Sequence, residues 1–349
     1  MIEKRRIKWT LAIPPEVLCE KANTRVDDYY LVPDLRLQTH QRAREYFMHK
    51  FEHDIGTYVG TGLTSYWNAT LFGAELEFQG DNQAAVHKRV LSSIEAVRHL
   101  KPPTPEDVPN LPRYRELLKQ HKQMEKLIVD TGFHASFARF GFQGPFTTAT
   151  ILRGTDIMMD IALSPALVKE LLEKVVEAQC NVMNFTEREL GIDIKTCGMG
   201  DDYAGLISPD MYGEFCFPYM KQLYDRYGRD ARSLHCETLK RGHHKYLNML
   251  GLTHYDPGVN PDITLEDIRV ECPGLYFTVN LFTVRDMVNK APDEIRKLCK
   301  DYIHRGAPGV MTEITVKTPE ENIRAFLETV REYEQGPKRE AEGPTLPKD

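Results

Sequence analysis

The chain has 349 residues, 41% of them hydrophobic, and a formal net charge of −6 at pH 7. A chain of this length and apolar content can bury a large core, which excludes general disorder. Its scattered, slightly acidic charge lacks the basic surface that binds nucleic acid or an anionic membrane, so a protein that handles small molecules is expected.

The amino-terminal stretch and the cysteines predict the compartment. MIEKRRIKWTLAIPPEVL has basic residues followed by only a short apolar run, unlike a secretory signal peptide. The chain has no run of about 18 apolar residues, so no membrane span is expected. Its seven cysteines are odd in number and widely spaced, which argues against a disulfide framework. We therefore expect a cytoplasmic protein.

The first part of the chain, about residues 1–135, is irregular and partly helical. The stretches LQTHQRAREYFMHKFEHD and RYRELLKQHKQMEKLIVD predict helices. Between them, GTGLTSYWNATLFGAELEFQGD is rich in glycine, threonine and aromatic residues, which predicts a substrate-facing loop or a small sheet. Two shorter stretches, DDYYLV and DIGTYVG, predict one strand each.

From about residue 136 the sequence alternates between β-prone runs and helical segments. Three helix starts are marked by a hydroxyl residue followed by proline, at Ser164-Pro165, Ser208-Pro209 and Thr318-Pro319, because the hydroxyl can cap the helix and proline suits its first turn. The six β-prone runs are SFARFGF, IDIKTCGMG, SLHCE, LTHYD, LYFTVNL and GVMTEITV.

Six successive β-then-α units predict parallel strands joined by crossover helices. With the two strands predicted earlier, they would close an eight-stranded barrel; a doubly wound open sheet is the alternative. Polar residues at the strand ends favour the barrel, whose active sites collect there. We predict a single (β/α)8 barrel domain over residues 1–335, elaborated over about 1–135, and a disordered tail at 336–349.

Polar and ionisable side chains cluster at four of the predicted strand ends. Asp201, Asp202 and Tyr203 follow one strand, and two adjacent carboxylates there can orient a substrate or act as acid and base. The alternative is a solvated turn with a local side-chain hydrogen bond. The remaining candidates are His235, Cys236 and Glu237 on the next strand, Asp256 after the third, and Asn280 and Glu313 in the last two β-prone runs.

His235 and Glu237 predict half of a zinc site, because alternate residues of a strand share a face and zinc accepts imidazole nitrogen and carboxylate oxygen. If the strand ends at His235, Cys236 could offer a thiolate instead; a buried thiol beside a capped histidine is the structural alternative. Glu313 lies in an apolar run, where a buried carboxylate needs a partner or a metal. The neighbouring His243 and His244 are expected to be exposed.

Several longer stretches together resemble the uroporphyrinogen decarboxylase-like superfamily, whose fold is a (β/α)8 barrel. The landmarks are GPFTTATILRG, GDDYAGLISPDMYGEFCFPYMKQLYD, the strand with His235, DPG, VNLFTV and TPEENI. The superfamily contains porphyrinogen decarboxylases and zinc-dependent methyltransferases that work with cobalamin or a corrinoid protein. The arginine-rich amino-terminal segment of the decarboxylases has no counterpart here, so the resemblance favours the methyltransferase branch.

That branch commonly carries a His-x-Cys pair and a later cysteine. Here His235 matches the histidine, Glu237 stands at the position of the first cysteine, and the final run offers Glu313. The resemblance thus implies a His/Glu/Glu zinc site, or one with Cys236 in place of Glu237. Oxygen ligands leave more positive charge on zinc, which favours activation of an oxygen or nitrogen leaving group.

The implied activity is transfer of a methyl group from a small O- or N-methyl donor, such as an aromatic methyl ether, to the cobalt of a corrinoid. The chain lacks the DxHxxG motif of corrinoid-binding modules, so a separate corrinoid protein would be the partner. Asp202 or Tyr203 would protonate the leaving group, while Asp201, Asp256 and Asn280 complete the expected catalytic set. Two alternative functions stay open, a lyase for a small carboxylic acid and a non-catalytic binding barrel. The protein could also form a homodimer.

Overall fold

The computed structural model describes residues 7–61, 66–80, 82–86, 88–136 and 141–334. Its strands are β1 (Lys8–Ala12), β2 (Tyr58–Gly60), β3 (Glu77–Gln79), β4 (Asn82–Ala85), β5 (His134–Ser136), β6 (Gly141–Gln143), β7 (Thr196–Gly200), β8 (Ala231–His235), β9 (His254–Asp256), β10 (Tyr276–Leu281) and β11 (Gly309–Glu313).

The α-helices are α1 (Pro15–Ala22), α2 (Val26–Leu31), α3 (Pro33–Phe51), α4 (Pro112–Leu127), α5 (Pro145–Arg153), α6 (Ile157–Leu163), α7 (Pro165–Leu190), α8 (Pro209–Phe215), α9 (Phe217–Tyr227), α10 (His244–Met249), α11 (Leu265–Glu271), α12 (Pro292–His304) and α13 (Glu320–Glu334). Short 3₁₀ helices cover Trp67–Phe72, Ile94–His99, Val108–Asn110, Ala204–Leu206 and Arg241–His243, and a π-helix covers Thr283–Val288. Within the described ranges, no helix is both long and apolar enough to cross a bilayer.

The chain divides into two compact units. The central unit is Pro14–Tyr276, and the terminal unit combines Met1–Ile13 with Phe277–Asp349. The single domain predicted over residues 1–335 stays a prediction, and the tail predicted at 336–349 lies outside the described residues.

In the central unit, four parallel strands run in chain order from β6 to β9. Their last residues are in register, because Gln143 pairs with Gly200, Gly200 with His235, and His235 with Asp256. The carboxyl ends of these strands therefore form one row, and the residues that follow each strand emerge side by side.

Crossover helices cover this sheet and start where the hydroxyl-proline pairs predict. Helix α7 begins at Pro165 and α8 at Pro209, where the Ser208 hydroxyl accepts a hydrogen bond from the Met211 amide. Helix α7 buries Leu171, Leu172, Val175 and Val176. Each such side chain contributes about 1.5–3 kcal/mol of transfer free energy when fully buried, so this face anchors the helix.

In the terminal unit, β10, β11 and β1 are parallel neighbours in that order. The sequence analysis did not predict β1, whose five residues pair with β11 along their whole length. Helix α13 begins at Glu320, directly after the predicted Thr318-Pro319 start. The Thr318 hydroxyl accepts from the Thr315 amide, so it closes the preceding turn.

Two predictions for the first part of the chain have different outcomes. The strand predicted at DDYYLV is wrong: these residues form most of α2, which buries Val26, Tyr29 and Tyr30 at helical spacing. The strand at DIGTYVG is confirmed as β2, but it pairs in parallel with β5 in a separate two-stranded sheet, so its predicted place among the barrel strands is wrong. The glycine- and aromatic-rich segment that follows contains the small antiparallel sheet of β3 and β4; its residues 62–65 lie outside the described ranges, as do residues 137–140 of the SFARFGF run.

Candidate functional site

The ends of β7, β8 and β9 bring together four of the predicted site residues. Asp202 follows β7, His235 ends β8, Glu237 follows it, and Asp256 ends β9. All four belong to the central unit. The row of paired strand ends places them side by side, as the barrel prediction required.

Asp256 holds one side of the His235 ring. Its Oδ2 lies 2.9 Å from Nδ1 of His235, and its Oδ1 accepts a hydrogen bond from the Gly258 amide at 2.9 Å. Because a carboxylate only accepts, the proton of the neutral imidazole is on Nδ1 and the lone pair is on Nε2. The hydrogen bond that His235 donates to Asp256 is the main reason that the pKa of His235 rises to about 9.

The other side of the ring faces two carboxylates. Nε2 of His235 is 3.7 Å from Oδ1 of Asp202 and 3.9 Å from Oε1 of Glu237. The side chains of Asp202 and Glu237 are 49% and 43% exposed, so this face of the imidazole is open to solvent and to a ligand. The Glu237 amide also donates to Oδ1 of Asp202 at 3.1 Å, which holds the two residues together.

Gly258 makes room for Glu237. A Cβ atom at this position would lie 2.4 Å from Cγ of Glu237, and the backbone has φ +55°. Both the close approach and the left-handed conformation favour glycine. Gly258 stands within the landmark DPG, and its contact with the preceding loop joins segments that a single sequence does not connect.

Cys236 points away from the open face. It is fully buried, and its thiol donates to the Asp201 carbonyl oxygen at 3.1 Å. Burial raises the pKa of this thiol to about 12, so the thiolate that binds zinc is disfavoured. Glu237, rather than Cys236, therefore accompanies His235 at the open face.

Asp201 lies behind the site. It is buried, its Oδ1 accepts from the Thr147 amide at 2.8 Å, and its backbone amide donates to the His235 carbonyl oxygen at 3.0 Å. Its side chain abuts Gly144, where a Cβ atom would lie 2.2 Å from Cγ of Asp201. Burial raises the pKa of Asp201 to about 7. These contacts support the strand ends from behind, and the predicted catalytic role of Asp201 stays a prediction.

Tyr203 is tied to the same support. Its amide donates to the Thr147 hydroxyl at 3.2 Å. Tyr203 is partly exposed and lies just before the 3₁₀ helix Ala204–Leu206. Thr147 thus connects Asp201 and Tyr203 to the start of α5. It stands inside the landmark GPFTTATILRG, but the sequence analysis gave it no role.

Asn280 and Glu313 belong to the terminal unit. Asn280 is partly buried in β10 and pairs with Met311 of β11. Glu313 ends β11 and is exposed. The burial inferred for Glu313 from its apolar run is therefore wrong, because the strand ends there and the side chain reaches solvent. Its role as a metal ligand stays a prediction.

Comparisons with known proteins identify the family of the chain. The family profile "Uroporphyrinogen decarboxylase (URO-D)" matches residues 61–333. The chain belongs to this family. A uroporphyrinogen decarboxylase of Trichormus variabilis is 23% identical over 281 residues, which are 74% of each chain. Another, of Crocosphaera subtropica, is 24% identical over 265 residues, which are 69% of this chain and 68% of the relative.

A solved structure extends the comparison to nearly the whole fold. A methyltransferase from Methanosarcina mazei superposes with a TM-score of 0.68 over 95% of both chains, at 15% sequence identity. With the family match, this likeness confirms the predicted (β/α)8 barrel as the fold class. At this identity, the likeness concerns the fold alone.

The histidines that follow the site are structural. His243 and His244 are both buried, so their predicted exposure is wrong. The ring of His243 contacts the Ile207 carbonyl oxygen at 3.1 Å, and Nδ1 of His244 lies 2.6 Å from Oε2 of Glu271. Burial lowers the pKa of both imidazoles, because the charged form loses its hydration. The residues around them in the sequence are polar, which is why exposure was predicted.

The donor atoms at the open face suit the zinc ion that the resemblance implies. Imidazole nitrogen and carboxylate oxygen are zinc ligands, and a carboxylate on the far ring nitrogen is the usual outer partner of a zinc-bound histidine. Ligand atoms of one tetrahedral zinc lie roughly 3.3 Å apart, given bonds of about 2.0–2.1 Å. Nε2 is 3.7 Å and 3.9 Å from the two carboxylates, which is farther than this spacing. Among the residues with described positions, no group of three or more histidine, cysteine or carboxylate side chains is arranged to hold a metal ion.

Proposed function

We propose that the protein is a methyltransferase that moves a methyl group from a small O- or N-methyl donor to the cobalt of a corrinoid carried by a separate protein. The observation that carries this proposal is the His235 ring, oriented by Asp256 and open on its Nε2 side towards Asp202 and Glu237. That arrangement suits a metal that activates a leaving group. The likeness to a solved methyltransferase supports the same reading.

Zinc in this site would be held by His235 and Glu237. It would supply a Lewis acid that polarises the heteroatom of the donor. The chain's own contribution is to orient the ring: Asp256 accepts the Nδ1 proton, so Nε2 is the nitrogen that a metal would bind in place of a proton. The partly exposed faces of Asp202 and Glu237 admit a small molecule.

The reaction forms one bond and breaks one. The lone pair of cobalt(I) attacks the methyl carbon, the bond from carbon to oxygen or nitrogen breaks, and its electron pair stays on the heteroatom. The heteroatom then takes a proton, and the cobalt ends as methylcobalt(III). Asp202 and Tyr203 are the nearest candidates for the proton donor, because both follow β7 at the row of strand ends.

A lyase for a small carboxylic acid is the second candidate. The names of the two curated relatives favour it, since both are uroporphyrinogen decarboxylases. The charge of the site argues against a lyase for an anionic substrate. Among the described residues of the central unit, Asp202 and Glu237 form ion pairs with His235 alone. An anionic substrate would meet carboxylates there, which repel it. A non-catalytic binding barrel is the third reading.

The test is a methyl-transfer assay with cobalt(I) cobalamin and a panel of methyl ethers and methylamines. Formation of methylcobalamin is followed by its absorption spectrum, and release of carbon dioxide from small carboxylic acids is measured in parallel. We expect methyl transfer that His235→Ala abolishes. Carbon dioxide release that needs no corrinoid would support the lyase, and absence of both activities would favour the binding barrel.

A further inference from the structure

We propose that the methyl donor is a small methylammonium compound, which lies over Gly200 in a pocket between Gln143 and His235. This inference rests on the proposed function and names the substrate class of the same site. All three residues belong to the central unit. The open space at Gly200, the depth of that space and the charge at its rim support this substrate class.

Gly200 leaves a gap in the row of strand ends. Gln143, Gly200 and His235 are Cα partners on the neighbouring strands β6, β7 and β8, so these three positions share one face of the sheet. A Cβ atom at Gly200 would meet no heavy atom within 4 Å. Because neighbouring strands lie about 4.8 Å apart, the Cα atoms of Gln143 and His235 are separated by roughly 9–10 Å. The gap therefore has room for a small molecule.

The gap is closed from below. Gly198 lies two residues earlier on the same face of β7 and pairs with Ser233 of β8. A Cβ atom at Gly198 would lie 2.8 Å from the Ser233 hydroxyl oxygen, so the space beside Gly198 is already filled. The open space over Gly200 is thus a shallow pocket with the Ser233 hydroxyl at its floor.

The two walls of the pocket carry hydrogen-bond acceptors. On one side, Gln143 is partly exposed, and its side-chain oxygen has no partner among the described residues. Its carboxamide can turn to present this oxygen to an N–H group. On the other side, Oδ1 of Asp202 and Oε1 of Glu237 lie 3.7 Å and 3.9 Å from Nε2 of His235. Acceptors on both walls suit a ligand that donates N–H hydrogen bonds.

The rim of the pocket is negative even when the His235 ring is counted as a cation. Asp202, Glu237 and Asp256 surround this ring and pair with it. Three carboxylates and one imidazolium sum to −2, three carboxylates and a neutral imidazole to −3, and a divalent ion on the neutral ring would leave −1. Arg241, in the following loop, pairs instead with carboxylates of α11. A cationic donor is therefore attracted to the pocket in each of these states.

A methylammonium donor also suits the chemistry of methyl transfer. The bond from the methyl carbon to nitrogen breaks, its electron pair stays on nitrogen, and cobalt(I) of the corrinoid supplies the pair for the new carbon–cobalt bond. The nitrogen leaves as a neutral amine, because it carries its proton from the start. The leaving group thus needs no proton from the chain, and Asp202 and Glu237 serve to hold the cation.

The test compares two probes of the same shape, dimethylammonium and dimethyl ether, which are an N-methyl and an O-methyl donor. Binding to the full chain is measured at neutral pH, without a corrinoid, by nuclear magnetic resonance of the ligand. Gly200→Val fills the pocket, and Gly200→Ala is its milder form. Gly60→Val is the matched control, because Gly60 also ends a strand and a Cβ there would lie 4.0 Å from its nearest neighbour. Asp202→Asn removes one rim charge, and Asp210→Asn, at an exposed aspartate of α8, is its control.

We expect dimethylammonium to bind at least about 10-fold more tightly than dimethyl ether, as for two partly exposed ion pairs. This preference should shrink in Asp202→Asn and at high salt, because both weaken the attraction between charges. Gly200→Val should weaken dimethylammonium binding about 10-fold or more, as expected when a side chain occupies the place of the ligand. Gly60→Val and Asp210→Asn should bind both probes as the wild type does. Thermal melting confirms that each variant folds.

Equal, weaker or absent binding of dimethylammonium relative to dimethyl ether would overturn the substrate class. Unchanged binding by folded Gly200→Ala and Gly200→Val would overturn the pocket. In the methyl-transfer assay, turnover of ethers but not of dimethylammonium would overturn this proposal and leave the methyltransferase reading in place. Selective binding of dimethylammonium without methyl transfer from any donor would support the pocket and overturn the proposed function, so the two failures are distinguishable.

Discussion

The contact between His235 and Asp256 gives a prediction that can be measured before any substrate is known. In Asp256→Asn, Nδ1 of the ring loses its charged acceptor at 2.9 Å, which is the main cause of the raised pKa of His235. In protein freed of metal with a chelator, we expect the pKa of His235 to fall from about 9 to near the ordinary value of about 6.5. Nuclear magnetic resonance of labelled histidine, titrated from pH 5 to 10, measures it directly.

The same change has a consequence for stability. The folded-state pKa of His235 is raised, so the pair stabilises the protein fully below pH ~6.5 and loses this contribution as the pH rises through about 9. For a fully buried pair the difference would be worth roughly 3 kcal/mol, but the His235 side chain is 41% exposed, and solvent screening reduces this to about 1 kcal/mol. Urea unfolding should show the wild type losing about this much more than Asp256→Asn between pH 6 and 9.

Asp262→Asn, an exposed aspartate between β9 and α11, is the matched control and should leave the titration unchanged. A pKa that stays near 9 in Asp256→Asn would refute the reasoning, because Asp202 and Glu237 would then be the groups that hold the ring proton. Asp201 also titrates near neutral pH, but it is present in both proteins, so the comparison removes its effect.

Three further predictions concern the residues around this pair. The Cys236 thiol should not react with a thiol reagent at pH 8 in the native protein and should react after unfolding, since it is buried with a pKa of about 12; rapid native labelling would contradict its position. Gly258→Ala should displace Glu237, which a Cβ would approach to 2.4 Å, and weaken zinc binding about 10-fold or more while Gly274→Ala, at a glycine with open space around it, does not. In Asp201→Asn, the stability lost between about pH 4 and 7 should shrink, because the raised folded-state pKa of Asp201 gives a contribution that is complete below pH 3.8 and is lost as the pH rises through about 7; an unchanged pH profile in urea unfolding would show that Asp201 is not the group involved.

The fold was largely predictable because its signals are local. Hydroxyl-proline pairs mark the starts of α7 and α8, and β-prone runs between helices indicate parallel strands. The two segments that were not predicted correctly depend on contacts with distant parts of the chain. DDYYLV is β-prone in composition, but helix α2 buries its tyrosines, and β1 is a short segment whose partner, β11, lies about 300 residues away in the sequence.

The site was predictable in its residue types and only partly in its geometry. β8 ends at His235, so strand alternation does not place Cys236 and Glu237; their separation comes from the loop, where Cys236 is buried and Glu237 is partly exposed. The sequence could not show that Asp256 would take Nδ1 of His235 or that Asp202 would reach the other face, because both contacts cross between strands. Nor could it show that Glu313 ends its strand exposed, since the run of apolar residues around it continues past the strand.

Position 237 has an evolutionary consequence. Its side chain already faces Nε2 of His235, so substitution of this one residue by cysteine would restore the His-x-Cys pair of the methyltransferase branch while the strands and the Asp256 contact stay in place. Relatives could therefore exchange a hard oxygen for a soft sulfur at a single codon and shift the preferred leaving group without rebuilding the barrel. If the proposed methyl transfer holds, the choice of methyl donor can therefore change while the fold stays the same.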